Sequence, residues 1–345
     1  MRSSPVKATG AIDRESPLID MANDSAPLAA TILEIQRFST EDGPGIRSTI
    51  FFKGCPLRCA WCQNPESISA SPQLQRTETQ CIGCGICIGL CPENALSRGP
   101  DGIVIDRCIC TSCGICSREC PSAAMRMLGT TWELDELLLE ALTDRAYFET
   151  SGGGVTLSGG EPAMQAPFAA ALLGRLREAG IHTALDTSGQ CAQKTLEALL
   201  PHADMVLYDI KEIDPDRHRT LTGVSNNTIL ANLVFLCRYM ETHTTPAELW
   251  IRTPVIPGAT ACDDNVRGIG RFIASELGGA VGRWELCSFN NLCAGKYRRL
   301  GMDWPFRDSP LMSEKRMEEL VDIAAGSGVD PDRVRWCGPI QIEER

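Results

Sequence analysis

The segment STIFFKGCPLRCAWC, residues 48–62, runs from an apolar, β-branched stretch directly into three cysteines. Ser48–Phe52 has the composition of a buried strand, and Cys55, Cys59 and Cys62 follow it within one loop. Three thiolates this close together suit an iron–sulfur cluster better than structural zinc, which normally has a fourth ligand nearby. No fourth ligand is apparent, so the spacing predicts a cluster with one iron open to a substrate. The alternative is three buried structural cysteines.

Beyond this loop, strand patterns alternate with helix patterns along the chain. Five further strands are predicted, at Gly154–Leu157, Thr183–Leu185, Met205–Ile210, Leu249–Pro254 and Trp284–Phe289. Helices are predicted between them, at Phe168–Ala179, Thr228–Met240 and Val266–Leu277. Thr130 and Glu133 form a capping box that opens a further helix, reaching about Tyr147. Alternation of this kind predicts a parallel sheet with right-handed crossovers, and with Ser48–Phe52 it gives six βα units, an α/β fold in the form of a partial barrel.

Composition divides the chain into three parts. Residues 1–30 are rich in Ser, Pro, Ala and Asp without apolar periodicity and predict a disordered leader, with Met21 as an alternative start. Residues 72–128 are rich in Cys, Gly and Ile and have hardly any helical period, which indicates an insert. The barrel is therefore predicted to comprise residues 31–71 and 129–345.

The overall composition excludes several classes of protein. The chain has 345 residues and a net charge of −11, with 43% hydrophobic and 22% charged residues, which is typical of a globular protein. The negative charge disfavours a nucleic-acid partner, and no apolar run is long enough to span a membrane. No signal-peptide pattern precedes the 18 cysteines, so we expect them to be metal ligands in a reducing cytoplasm rather than disulfides. We also expect the protein to be a monomer.

The insert contains two tandem cysteine runs, each ending in Cys-Pro. Their spacing, Cys-x2-Cys-x2-Cys-x3-Cys-Pro, is that of bacterial ferredoxins, in which the fourth cysteine of each run ligates the other cluster. One 4Fe-4S cluster is therefore assigned to Cys81, Cys84, Cys87 and Cys120. The second is assigned to Cys110, Cys113, Cys116 and Cys91. The alternative is a pair of zinc ribbons, whose cysteine pairs are not normally tripled. Cys108 fits neither run.

Two short motifs around the three-cysteine loop make a resemblance specific. The loop itself resembles that of the radical S-adenosylmethionine (SAM) superfamily. Preceded by Asp42-Gly-Pro-Gly-Ile-Arg47 and followed by Asn64-Pro-Glu66, it is similar to the glycyl radical enzyme activating enzymes in particular. The resemblance extends from about Ile35 to Leu300. It implies a radical SAM partial barrel with an inserted ferredoxin-like α+β domain, and hence three 4Fe-4S clusters with SAM.

The ends of the predicted strands carry polar residues that should converge, because loops at the carboxyl ends of parallel strands form one face. In Ser158–Pro162, two glycines allow close backbone approach to a ligand, and Glu161 can accept from an ammonium group. The resemblance implies SAM binding by Gly159, Gly160, Glu161, Asp209, Lys211, Arg252 and Asn290. It also implies a monovalent cation at Asp186 and Thr187. Asn290 stands where many relatives carry histidine, and it can bind a ribose but cannot titrate near neutrality.

The resemblance implies an activase that cleaves SAM reductively and removes hydrogen from a glycine of a partner glycyl radical enzyme. We expect the Asp42–Arg47 loop to contact that partner, and a flavodoxin or ferredoxin to supply electrons. The insert would relay those electrons or stiffen the docking surface. Two alternatives are a radical SAM enzyme that modifies another peptide or small molecule, and a non-catalytic iron–sulfur electron carrier. Cys287 and Cys293 are interpreted as structural.

Overall fold

The structure is a computed structural model that describes residues 28–341. The predicted leader, residues 1–30, and the alternative start at Met21 therefore lie almost wholly outside the described residues. Its last two residues, Ala29 and Ala30, already belong to the first strand, so the leader was assigned two residues too many at its end.

Within the described residues, nine strands form one mixed sheet, and four form two separate two-stranded sheets. The strands are β1 Ala29–Ser39, β2 Arg47–Phe52, β3 Gln73–Arg76, β4 Leu96–Gly99, β5 Gly102–Ile105, β6 Met125–Leu128, β7 Thr130–Glu133, β8 Gly154–Gly159, β9 His182–Thr187, β10 Met205–Asp209, β11 Glu248–Val255, β12 Arg283–Ser288 and β13 Val334–Cys337. The order in the main sheet is β13-β12-β11-β10-β9-β8-β2-β1-β7. The seven strands from β13 to β2 are parallel, whereas β1 and β7 are antiparallel to their neighbours.

Eleven α-helices lie within the described residues, and those after residue 133 connect successive parallel strands of the main sheet. They are α1 Ile86–Leu90, α2 Ile115–Arg118, α3 Leu134–Leu142, α4 Arg145–Ser151, α5 Ala166–Glu178, α6 Gln193–Leu199, α7 Pro215–Thr222, α8 Asn227–Thr242, α9 Asp263–Glu276, α10 Ala294–Leu300 and α11 Glu314–Ala325. Leucines from α5, α6 and α8 are fully buried against β8–β10. None of these helices is long and apolar enough to cross a membrane.

All six predicted parallel strands are present, but two details were wrong. The sheet has a seventh parallel strand, β13, which is only four residues long and was not predicted. The capping box at Thr130 and Glu133 is also wrong: these residues form β7, and the helix begins at Leu134. Thr130, Thr131 and Trp132 are β-formers, and pairing with Ala30–Ile32 gives them backbone partners that a helix start would not.

Residues 73–128 form a small α+β unit beside the sheet. β3 pairs with β6 and β4 pairs with β5, both antiparallel, and α1 and α2 each begin after a left-handed glycine. Its apolar centre contains two of the cysteines predicted to be cluster ligands. The buried residues are Leu74, Cys87, Leu96, Ile103, Cys116 and Met125. The insert therefore has a small apolar core of its own, separate from that of the main sheet, and each cysteine run contributes one residue to it.

β8 ends in two glycines that leave no room for a side chain. Gly159 has φ +104°, and a Cβ there would lie 2.5 Å from the backbone nitrogen of Phe52. A Cβ on Gly160 would lie 2.1 Å from the carbonyl oxygen of Gly54. The two glycines thus let the end of β8 pack directly against the chain that leads into the three-cysteine loop.

Gly159→Ala is expected to destabilise the protein clearly more than Gly180→Ala. Gly180 also has a positive φ, +77°, but a Cβ there meets nothing within 4 Å. The control should therefore lose only the backbone term of about 1–2 kcal/mol, whereas Gly159→Ala adds a packing term of about 1–3 kcal/mol. Anaerobic thermal unfolding followed by circular dichroism measures both. Equal shifts of the two midpoints would show that β8 does not need this close approach.

Candidate active site

The three-cysteine loop is fixed by backbone hydrogen bonds to neighbouring elements. The amide of Arg58 donates to the carbonyl of Thr222 at 2.7 Å, and the amide of Ala60 donates to that of Leu221 at 2.9 Å. At the far end, the Tyr297 hydroxyl donates to the carbonyl of Cys62 at 2.9 Å. The C-terminal end of α7 and the helix α10 therefore hold the loop from two sides.

The thiols of this loop are not activated by the protein alone. Burial raises the pKa of Cys55 to about 12, and the pKa values of Cys59 and Cys62 are raised for the same reason. Coordination to a metal centre is what would convert such thiols to thiolates near neutral pH.

The spacing of the sulfurs separates two kinds of metal centre. Within residues 28–341, the group of three ligand atoms that all lie within 4.8 Å of one another consists of Glu285, Cys287 and Cys337. At least one distance among the three loop sulfurs is therefore longer than that, whereas thiolates on tetrahedral zinc lie roughly 3.8 Å apart. The donor set fits a multi-iron cluster better than one zinc ion.

The sheet brings most of the predicted site residues to one cavity at the carboxyl ends of its strands. The cavity has a volume of about 500 Å³. The predicted residues that line it are Cys59, Cys62, Gly159, Asp186, Asp209, Lys211, Arg252 and Asn290. Apolar side chains form another part of its wall, namely Phe51, Trp61, Ile256 and Phe289. A cavity of this size and mixed polarity suits a small molecule of several charges with one apolar part.

Arg252 sits at the centre of the charged wall. Its guanidinium lies 3.5 Å from Asp42, 3.9 Å from Asp186 and 3.7 Å from Glu285. Burial would lower the pKa of Arg252, but negative charge at Cys287, Asp186, Asp42 and Asp209 outweighs it and leaves the pKa raised. Burial also raises the pKa of Asp186 to about 7, against the opposing charge of Arg252.

Lys211 and Asp209 form a second charged pair in the same wall. Their side chains are 2.5 Å apart. Burial would lower the pKa of Lys211, but Asp209, Cys59 and Cys55 outweigh it and leave the pKa raised, so the ammonium stays charged. The cavity therefore presents fixed cations beside carboxylates, an arrangement that recognises a zwitterion.

Three predicted residues lie behind this wall instead of on it. Glu161 is fully buried, and its two carboxylate oxygens accept from the Thr187 hydroxyl at 2.7 Å, from the amide and hydroxyl of Ser188 at 2.9 and 2.6 Å, and from the Ala163 amide at 3.3 Å. Thr187 is buried by the same contacts, and Gly160 packs on Gly54. Glu161 thus ties the end of β9 to the end of β8.

Cys55 faces a second cavity, of about 700 Å³, on another side of the loop. Cys59 lines both cavities, and Met164, Tyr297 and Met302 contribute to the second. Space is therefore available around all three thiols.

The Asp42–Arg47 loop contributes to the cavity in a way that the sequence analysis missed. Asp42 lines the cavity, accepts hydrogen bonds from Ser39 and Thr49 and faces Arg252. Arg47 is fully buried and donates to Thr156 and to backbone carbonyls. The expectation that this loop contacts a partner is therefore wrong for Arg47. The sequence signal that could have indicated this role of Asp42 is an acidic residue directly before a Gly-Pro-Gly turn that leads into a strand.

In the insert, the cysteines group across the two runs. One small cavity is lined by Cys91, Cys110, Cys113 and Cys116. Another is lined by Cys81, Cys84, Cys87 and Cys120. Each cavity thus contains three cysteines of one run and the fourth of the other. Cys108 is exposed and lines neither.

The helix α10 connects the insert with the three-cysteine loop. Arg107, three residues before Cys110, donates to the carbonyls of Leu74 at 2.8 Å and Arg299 at 3.2 Å. On the same helix, Tyr297 bonds to Cys62, and Lys296 contacts Asn64 at 2.7 Å. The second-run cavity therefore lies on the side of the insert that is attached to this helix.

Comparison with known proteins gives a family model and close relatives. The Radical SAM superfamily model matches residues 49–266. The (2S)-3-sulfopropanediol dehydratase activating enzyme of Klebsiella oxytoca is 38% identical, with 83% of this chain and 89% of the relative covered. The choline trimethylamine-lyase activating enzyme of Oleidesulfovibrio alaskensis is 37% identical, covering 84% and 93%. The benzylsuccinate synthase activating enzyme of Thauera aromatica is 40% identical, covering 85% and 88%.

Proposed function

We infer that Cys55, Cys59 and Cys62 hold the catalytic 4Fe-4S cluster of this chain, which belongs to the radical SAM superfamily and within it to the glycyl radical enzyme activating enzymes. The chain is an enzyme that cleaves SAM reductively and generates a glycyl radical on a partner enzyme by removing hydrogen from a glycine. The single observation that carries the residue assignment is the position of Cys59 and Cys62 on the wall of the charged cavity. A simple electron carrier would have no use for that cavity.

The cavity residues divide according to the charges of SAM. When bound, the cluster supplies the electron that cleaves SAM into methionine and a 5′-deoxyadenosyl radical. We assign the amino and sulfonium groups to the neighbourhood of Asp186 and Asp209, and the carboxylate to that of Lys211 and Arg252, because a carboxylate is stabilised beside cations and a sulfonium beside carboxylates. Asn290 would hydrogen-bond the ribose. The apolar wall beside it suits the adenine ring.

Glu161 and Thr187 act on the site through the chain that they hold. Glu161 has four protein donors and no exposure to the cavity, so its proposed role is to fix the Asp186–Ser188 segment. Gly159 and Gly160 let that assembly pack against Phe52 and Gly54. A monovalent cation at Asp186 and Thr187 remains part of the proposal, with Asp186 as its accessible ligand.

We propose that the insert is ferredoxin-like and holds two more 4Fe-4S clusters, which gives three in all. The grouping of cysteines across the runs supports one cluster on Cys81, Cys84, Cys87 and Cys120, and one on Cys110, Cys113, Cys116 and Cys91. No three of these sulfurs meet the 4.8 Å limit within residues 28–341, which argues against zinc ribbons.

The contacts of α10 support a relay function for the insert. Each run has one exposed cysteine, Cys84 in the first and Cys113 in the second, and we propose that a flavodoxin or ferredoxin reduces the cluster of the first run. Electrons would then pass through the cluster of the second run, because Arg107 attaches that side of the insert to α10, and Tyr297 attaches α10 to Cys62. If the insert served only to dock the partner, α10 would not need to contact both Arg107 of the insert and Cys62 of the three-cysteine loop.

The partner is proposed to approach at the mouth of the charged cavity. Leu292 lies two residues after Asn290 and is 85% exposed, which is unusual for a large apolar side chain and suits transient contact with a protein loop. Radical transfer to a backbone glycine requires that the partner's glycine loop enter the cavity, so a monomeric activase with a free cavity mouth is the simplest arrangement. The proposed number of thiolate ligands favours a reducing compartment, and we propose the cytoplasm.

Replacing Cys55, Cys59 and Cys62 together by alanine should remove one cluster and all SAM cleavage. Iron content of the anaerobically reconstituted protein should fall from about twelve to about eight atoms per chain. 5′-Deoxyadenosine formed with dithionite, measured by chromatography, should drop to background. Cys237→Ala, at a buried cysteine of α8, is the matched control and should keep both values. Unchanged iron in the triple variant would refute the assignment.

Two double variants distinguish ligation across the runs from ligation within them. Cys81→Ala with Cys120→Ala should cost about four iron atoms, because both residues serve one cluster. Cys81→Ala with Cys91→Ala should cost about eight, because it removes one ligand from each. Iron and sulfide analysis reads out both. The opposite pattern would mean that each run closes its own cluster.

A variant that lacks the second-run cluster tests the relay. Cys113→Ala should lower SAM cleavage driven by reduced flavodoxin at least tenfold, because the path to the catalytic cluster is cut. With dithionite, which reaches the catalytic cluster directly, cleavage should stay within about twofold. Cys108→Ala, at an exposed cysteine outside both cavities, should leave both rates unchanged. Equal flavodoxin-driven rates in the two variants would contradict a relay.

A further inference from the structure

Cys287 and Cys337 form a thiol pair that none of the proposed roles uses. They are register partners on the adjacent parallel strands β12 and β13. Their sulfurs lie within 4.8 Å of each other and of a Glu285 carboxylate oxygen. Adjacent strands are about 4.8 Å apart, which lies within the Cα separation of about 4.4–6.8 Å that a disulfide requires. Rotation of the two side chains can therefore bring the sulfurs together without moving either strand.

The two sulfurs of the pair differ in acidity. The Cys337 thiol donates a hydrogen bond to Cys287, and this contact, with the charge of Arg252, outweighs burial and lowers the pKa of Cys287. The same hydrogen bond raises the pKa of Cys337. A thiolate that attacks, next to a thiol that resolves, is the arrangement needed for thiol–disulfide exchange.

Glu285 does not complete a metal site with this pair. Its carboxylate is already paired with Arg283 at 3.2 Å and with Arg252 at 3.7 Å. These two guanidinium groups repel a cation at the carboxylate. The reactive atoms among Glu285, Cys287 and Cys337 are therefore the two sulfurs.

Small reagents can reach the pair through the charged cavity. Cys287 lines that cavity beside Ser288, and Cys337 is half-buried next to it. Cys287 is thus the sulfur that a reagent in this cavity meets.

We propose that Cys287 and Cys337 are a redox modification site, which a low-molecular-weight disulfide entering the cavity converts into an intramolecular disulfide. The Cys287 thiolate attacks one sulfur of the reagent, its S–S bond breaks, and one thiolate leaves. Cys337 then loses its proton and attacks the Cys287 sulfur, and the second thiolate leaves. Two protein thiols are oxidised, and one small disulfide is reduced to two thiols. The inference rests on the proposed function in one respect: SAM occupying the same cavity should shield Cys287.

The experiment uses the anaerobically reconstituted full-length enzyme and oxidised glutathione as the reagent. After alkylation and digestion, mass spectrometry should find a peptide pair linked through Cys287 and Cys337. Cys337→Ser should instead retain glutathione on Cys287, because the resolving thiol is gone. Cys262→Ser, at a half-buried cysteine beside Arg217, should leave the linkage unchanged. Saturating SAM should slow the linkage at least tenfold.

The outcomes separate this inference from the proposed function. Absence of the linked pair, or equal modification of Cys262, overturns the inference about the thiol pair. If the reduced enzyme in the same preparation still cleaves SAM, the proposed function stands. If the linked pair forms equally fast with and without SAM, the redox site is supported, but the proposed binding of SAM in this cavity is not. Absence of SAM cleavage in that preparation would then count against the proposed function only.

Discussion

The three-cysteine loop has little structure of its own, and the site depends on the hydrogen bonds that hold it. Its backbone amides at Arg58 and Ala60 are bound by the end of α7, and the carbonyl of Cys62 is bound by Tyr297 of α10. Three sulfur ligands can share one cluster only if the chain between them keeps a fixed path. The parallel sheet is therefore the frame that brings β2, α7 and α10 to the same edge.

Charge balance is the second constraint on this edge. Arg252 lies among three carboxylates and the sulfur of Cys287, and a charged group buried there alone would carry a large desolvation cost. The same arrangement gives the cavity separate positive and negative parts, which suits a zwitterionic substrate. Because Cys287 belongs to this set, oxidation of the thiol pair would change the charge next to Arg252.

Much of this site could be predicted from the sequence, because the signals were local. The spacing of Cys55, Cys59 and Cys62 and the polar residues at strand ends need only the parallel topology to converge. The role of Glu161 could not be predicted in this way, since its partners Thr187 and Ser188 come from the next strand and only the fold shows that they bury it. A short strand such as β13, and the choice of strand over capping box at Thr130, likewise depend on pairing with distant residues.

The central claim is that SAM binds directly at the iron that the three cysteines leave open. Electron–nuclear double resonance of the dithionite-reduced enzyme with SAM labelled with 15N in its amino group and 13C in its carboxylate measures this contact. The assignment to Cys55, Cys59 and Cys62 predicts couplings from both labels that vanish in the triple alanine variant. A reduced cluster that shows no coupling to either label, while SAM is bound, would contradict it.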